Sequence, residues 1–151
     1  MLQRIQSLYI LLALICLGIG LVLPWSSYAV NGAEYVLTGA SSNVSGVSHL
    51  PLTFALIVGI VLMIVTVILF RNRAQQMRLI NITWVQIIVI VGMFALVHYR
   101  DIEALTLNGV DPELNYGLAP VLPLVAAILL WMAKRAIKKD EDLVKSVDRL
   151  R

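Results

Sequence analysis

Hydrophobic positions along the chain gather into four long blocks, at about 5–23, 52–70, 79–97 and 118–133, and no Asp, Glu, Lys or Arg interrupts any of them. None shows the strict two-residue alternation of a half-buried strand, so each predicts a helix. A helix rises about 1.5 Å per residue and needs roughly 20 mostly apolar residues to cross a hydrocarbon layer of about 30 Å. The pattern therefore predicts an all-α membrane protein, a bundle of four transmembrane helices occupying residues 1–133. Residues 24–51 and 98–117 form the two long loops, and 71–78 a short one.

The long loops carry a second pattern. In the first, Ser27-Tyr28-Ala29-Val30 leads through Asn31-Gly32 into Ala33-Glu34-Tyr35-Val36-Leu37; in the second, Ala104-Leu105-Thr106-Leu107 leads through Asn108-Gly109 into Val110. Asn-Gly accepts the positive φ angles of a tight hairpin turn, so each is a hairpin candidate, and together they could form one small antiparallel cap. Pro112 limits the returning strand of the second. Residues 39–48, rich in Gly, Ser and Asn, read as a mobile connector. Trp25 and Tyr99, each just beyond a block, sit where amphipathic rings anchor at lipid headgroups.

Composition and charge agree with the pattern and orient it. Of the 151 residues 60% are hydrophobic and 14% charged, whereas a soluble domain carries about 25% charged residues. With four spans, eleven basic and four acidic residues fall on one side, giving +7, and one basic and five acidic on the other, giving −4. Because Lys and Arg near span ends stay in the cytoplasm, both termini are expected to be cytoplasmic. A competing reading makes the first block a signal peptide cut after Ala29, with Ser27 and Ala29 at the −3 and −1 positions. Its apolar run of roughly 16 residues is at or beyond the usual length of a signal core.

The two halves share a rough plan of span, Asn-Gly loop, Leu-Pro-Leu and basic exit. Duplication of a two-span unit would produce this, and so would shared topology alone.

Chemistry is sparse. His49 and His98 border the outer loops and read as solvated interfacial histidines; Cys16, the single cysteine, has no partner for an intrachain disulfide and reads as apolar filler. No metal-ligand spacing, phosphate loop or other cofactor signature occurs, and nothing points to nucleic acid. Inside the spans, Asn81, Thr83 and Gln86 are the polar residues of interest. Intramembrane amides and hydroxyls usually bond between helices, at about 1 kcal/mol each, and a substrate path would normally show an ionisable group at depth. Gly18, Gly20, Gly59 and Gly92 read as points of close helix approach.

Half the charge is concentrated at one end, since residues 134–151 hold 11 of the 21 charged side chains. There Leu143, Val147 and Leu150 recur as i, i+4, i+7, predicting a basic amphipathic helix that continues the fourth span as a cytoplasmic tail. Glu141 and Lys145 form a favourable i, i+4 pair. Mixed charge in this tail suits a protein partner. Its docking residues are expected to be Arg135, Lys138, Lys139, Asp140, Glu141, Lys145, Asp148 and Arg149, with Leu143, Val147 and Leu150 as apolar anchors.

The opening Met1-Leu2-Gln3-Arg4-Ile5-Gln6-Ser7-Leu8-Tyr9 and the closing Lys138-Lys139-Asp140-Glu141-Asp142-Leu143-Val144-Lys145-Ser146-Val147-Asp148-Arg149-Leu150-Arg151 resemble the ends of an uncharacterised family of small four-span membrane proteins of Bacteroidota. The resemblance implies a bacterial inner-membrane location and brings no activity or catalytic residue. The expectation is a non-enzymatic accessory or scaffold subunit of a membrane assembly. The alternative is a small transporter or channel, requiring a homo-oligomer, with Asn81, Thr83 and Gln86 along its path.

Overall fold

A computed structural model describes residues 2–30, 32–69, 72–106 and 112–148. Four helices appear where the apolar blocks predict them: α1 (Leu2–Gly20), α2 (Leu50–Ile68), α3 (Arg73–Thr106) and α4 (Leu122–Asp148). Each packs on its neighbours in chain order and α4 closes the ring against α1. Neighbours run antiparallel. Gln6 near the start of α1 donates to the Ala136 carbonyl late in α4, 3.3 Å away, while Gly20 at the other end of α1 lies beside Leu122 at the start of α4. Between α2 and α3, Gln86 Nε2 donates to the Ala55 carbonyl at 2.8 Å and Gln76 Nε2 to that of Thr66 at 3.3 Å.

Among the described residues three helices are long and apolar enough to cross a membrane: α2, α3 and the segment from Ala119 to Asp140. In α1 the apolar stretch is the shorter Ile5–Gly20. Every helix turns apolar side chains both inward and outward. Ile10, Leu17, Leu56, Ile90 and Leu130 lie in the interior, whereas Leu8, Phe54, Ile88 and Ile128 are exposed on the outer surface of the bundle. Gly59 gives the close approach expected of it, since a Cβ there would meet Leu17 and Ile90 at 3.2 and 3.3 Å. Gly18 and Gly92 have nothing within 4 Å of such an atom, so close packing does not require them.

One end of the bundle carries a three-stranded antiparallel sheet in the order β2-β1-β3, formed by β1 (Pro24–Val30), β2 (Ala33–Thr38) and β3 (Glu113–Tyr116). The first hairpin is as expected. Val30 pairs with Ala33 across a two-residue loop whose Gly32 has φ +81°; Asn31 lies outside the described residues.

The second loop is different. Residues 98–106, expected to be loop and strand, continue α3, because Val97, Asp101 and Leu105 at i, i+4, i+8 keep a buried helical face and Glu103-Ala104-Leu105 are strong helix formers. Leu107, Asn108, Gly109 and Val110 of the expected turn fall outside the described residues. The chain returns as β3, which pairs not with its own loop but with β1. One shared cap forms, as anticipated, although only one hairpin contributes to it.

Two further expectations are corrected. The first part of residues 39–48 is tied down, since Leu37 bridges Ser42, Thr38 and Ser41 bond to each other through both side chain and backbone, and Val44 is buried, while Ser45, Gly46 and Ser48 are exposed. Trp25 is not at the surface. β1 folds back over the helix ends, so the indole is fully buried, donates from Nε1 to the Gly20 carbonyl at 2.7 Å, and rests on Phe94. Tyr99 is exposed, as a headgroup anchor would be.

Candidate functional site

Polar chemistry collects at the two ends of the bundle. At the sheet end, β1 is the central strand, so its inward residues are held from both sides: Ser26 is paired with Leu37 and Tyr116, and Tyr28 with Tyr35 and Leu114. Strand alternation places Ser26 and Tyr28 on the same buried face. Opposite them stands the upper part of α3. At 34 residues that helix is about 51 Å long, which carries His98 and Asp101 beyond the apolar stretch 79–97. Their i, i+3 spacing puts both on one side of the helix.

The resulting cluster is tightly connected. Ser26 Oγ donates to the Tyr28 hydroxyl at 2.9 Å. That hydroxyl lies 2.7 Å from His98 Nδ1 and 3.3 Å from Asp101 Oδ2. On the far side of the imidazole, Nε2 is 3.2 Å from the Tyr116 hydroxyl. The ring of His98 stacks between Tyr28 and Phe94, with centroids at 5.6 and 5.5 Å, and Tyr116 tilts against it at 5.3 Å.

Asp101 is fully buried, and its Oδ1 has no hydrogen-bond partner. Burial pushes its carboxyl up to about 6, opposed by the Tyr28 hydrogen bond and by the nearby His49. The same loss of solvent raises the Tyr28 phenol and lowers the His98 imidazole. These groups form a hydrogen-bonded path between a buried acid and the surface. Among the described residues no group of three or more His, Cys, Asp or Glu could hold a metal ion.

The opposite end is charged and open. α4 runs without a break from its apolar part into the tail, as the sequence predicts. Arg73 at the start of α3 pairs with Asp140 at 2.7 Å, fixing the tail against the bundle. Asp140 is thus engaged within the protein, whereas Arg135, Lys138 and Lys139 are exposed. The Arg135 guanidinium lies 5.6 Å from the centre of the Trp131 ring. Arg135, Lys138, Lys139, Asp142 and Leu143 line a shallow cleft of about 470 Å³. Leu143 is exposed, about 240° round the helix from the buried Ile137.

The backbone is helical through Asp148, while the side chains of Glu141, Lys145, Val147 and Asp148, and all of Arg149 and Leu150, lie outside the described residues.

The three polar residues of the apolar part of α3 are not brought together. Asn81 Oδ1 accepts from Lys134 Nζ at 2.8 Å, Thr83 Oγ1 donates to the Leu79 carbonyl at 2.9 Å on its own helix, and Gln86 reaches across to α2. Asn81 and Gln86 join helices, while Thr83 bonds within its own.

What the sequence reading missed is the cluster at the sheet end. Asp101 was legible as a core position only by extending the spacing of Val97 to Leu105; read as loop, it was one more solvated acid. His98, which reads as interfacial and solvated at its loop margin, is half-buried and sandwiched between rings.

A family model described as a domain of unknown function, DUF4293, matches residues 2–150, and the chain belongs to that family. No curated protein matches the sequence.

Proposed function

We propose that this member of a family without an assigned activity is a four-span protein of a bacterial cytoplasmic membrane, in Bacteroidota, with both termini in the cytoplasm. In this reading it acts as a non-enzymatic accessory or scaffold subunit that docks a protein partner on its tail. Three observations support the membrane placement. Large apolar side chains are exposed along all four helices, whereas a soluble surface rarely carries extended apolar patches. Basic residues gather at the tail end, which is net positive, while the sheet end is net negative. The apolar stretch of α1, Ile5–Gly20, gives about 24 Å of helix, shorter than the other three, and in this reading it makes the fourth crossing.

The docking role is carried by one observation: α4 continues unbroken into the tail, is paired to α3 through Arg73 and Asp140, and presents Arg135, Lys138, Lys139 and Leu143 together around one cleft. Such a surface suits an acidic segment with an apolar side chain for the cleft, because steering by charge and burial of one anchor act together.

Replacing Lys138 and Lys139 by Glu tests this. Both are exposed, so membrane insertion and thermal stability should be unchanged, while a stoichiometric partner recovered by cross-linking the native membrane should be lost. Recovery of the same partner with the doubly reversed tail overturns the docking role.

A further inference from the structure

At the sheet end four side chains stand in file from the surface inward: Tyr116, two-thirds exposed at 66%, then His98, Tyr28 and the fully buried Asp101. We propose that Asp101 is a proton-binding site, loaded from the surrounding water through Tyr116, His98 and Tyr28. It stands independently of the docking role of the tail.

The hydrogen bonds admit two complete arrangements. With Asp101 ionised, the Tyr116 hydroxyl donates to His98 Nε2 across 3.2 Å, His98 Nδ1–H donates to the Tyr28 oxygen across 2.7 Å, and the Tyr28 hydroxyl donates to Asp101 Oδ2 across 3.3 Å. Ser26 supplies a second donor to the Tyr28 oxygen. Loading passes one proton along each link. Tyr28 gives its proton to Asp101 and takes one from His98 Nδ1; His98 takes one at Nε2 from Tyr116; Tyr116 takes one from water. The net change is one proton from water onto Asp101, and both tyrosines and the imidazole end neutral.

Every bond then runs in the opposite sense, from Asp101 to Tyr28, Tyr28 to His98 Nδ1, and His98 Nε2–H to Tyr116. No heavy atom changes partner.

Burial gives Asp101 its affinity for the proton. An ionised carboxylate out of water needs several donors, and here Oδ1 has none. The groups facing it from every packed element are few among the described residues. β1 contributes Tyr28 with Ser26 behind it, the loop before α2 contributes His49, and β3 contributes Tyr116 beyond His98. Only His49 favours the charged form by its own charge, and it is outweighed by the loss of solvent.

A buried acid with a purely structural role needs no connection to the surface. This one has a connection in which each intermediate group can both give and take a proton.

The test uses the full-length protein in lipid nanodiscs, labelled with ¹³C-aspartate and followed by infrared difference spectroscopy. One protonated aspartate band should persist after the solvated aspartates have ionised, with a midpoint at about 6. Asp101→Asn should abolish it; should that variant fail to fold, Asp101→Glu removes the site from the labelled set. After a rapid acid jump, Tyr116→Phe, a surface change, should leave the midpoint in place and slow the growth of the band by about tenfold or more, because a proton donor has been removed from the path. His98→Gln should slow it as well. If every aspartate titrates as a solvated group, Asp101 binds no proton in this range. If Tyr116→Phe loads as fast as the parent, the path is wrong even though the site remains.

Discussion

The two ends of this bundle treat charge in opposite ways. At the sheet end a small set of polar side chains, Ser26, Tyr28, His98 and Asp101, is drawn inward and bonded together beneath an exposed polar rim, whereas at the tail end Arg135, Lys138 and Lys139 stay in water. Tyr28, His98 and Asp101 are held by a strand, a helix and stacked rings, and Tyr28 joins the other two, so its removal would take from Asp101 its hydrogen bond and leave His98 bonded to Tyr116 alone. Arg135, Lys138 and Lys139 keep their charge in solvent and would survive replacement with little cost to the fold. Burial makes the first region sensitive to substitution and titration, while exposure makes the second available to another molecule.

That contrast can be broken most forcefully at Trp25. Its indole is fully buried, closes over Phe94 and bonds the end of α1, so Trp25→Ala should cost about 3–5 kcal/mol. A denaturation midpoint measured in detergent would show it, and a loss under about 1 kcal/mol would mean that the cap is not integral to the bundle.

A pH titration of stability sharpens the comparison with an intermediate effect. The folded protein holds the Asp101 proton up to about 6, against 3.8 for the ordinary carboxyl. The native state therefore binds the proton more tightly than the unfolded chain does. Its contribution is fully present below 3.8 and lost as pH rises through about 6. Asp101→Asn should flatten the slope in that window; an equal slope in parent and variant would assign it elsewhere.

The smallest effect is expected at the other end. Arg73 and Asp140 are 34% and 16% exposed, so Arg73→Gln should cost no more than about 1 kcal/mol. Its clearer consequence is a looser tail, visible as faster amide exchange in residues beyond Asp140. Unchanged exchange there would show that the helix holds its position without the pair.

The same contrast explains what could be read from the chain alone. Helices, the first hairpin and the continuous tail follow from periodicity, Asn-Gly and charge, all of which are local. Trp25 and Asp101 were misplaced because local context, a ring beside an apolar block and an acid in a loop, is overridden by what folds over them. β1 turns back across the helix ends, and α3 runs two turns past its apolar stretch to meet it. Gly117 shows the same limit. Only the structure shows that a Cβ there would strike the carbonyl of Pro24, so that the chain can leave β3 alongside β1 only with glycine at this point. Asn81, Thr83 and Gln86 were recognised as candidate interhelical contacts, but their separate partners depend on helix facing that spacing does not reveal.

The strand order β2-β1-β3 also dictates a sequence of assembly. β1 is synthesised early, yet one of its two edges is completed only by β3, which follows α3 and precedes α4. Until then the nascent hairpin presents unpaired amide and carbonyl groups along that edge, a template for other extended chains. The cap is thus a late, long-range closure. A chain truncated after α2 would leave the hairpin open, so capture of that edge by a synthetic copy of β3 would report how far the full-length protein has progressed towards its finished form.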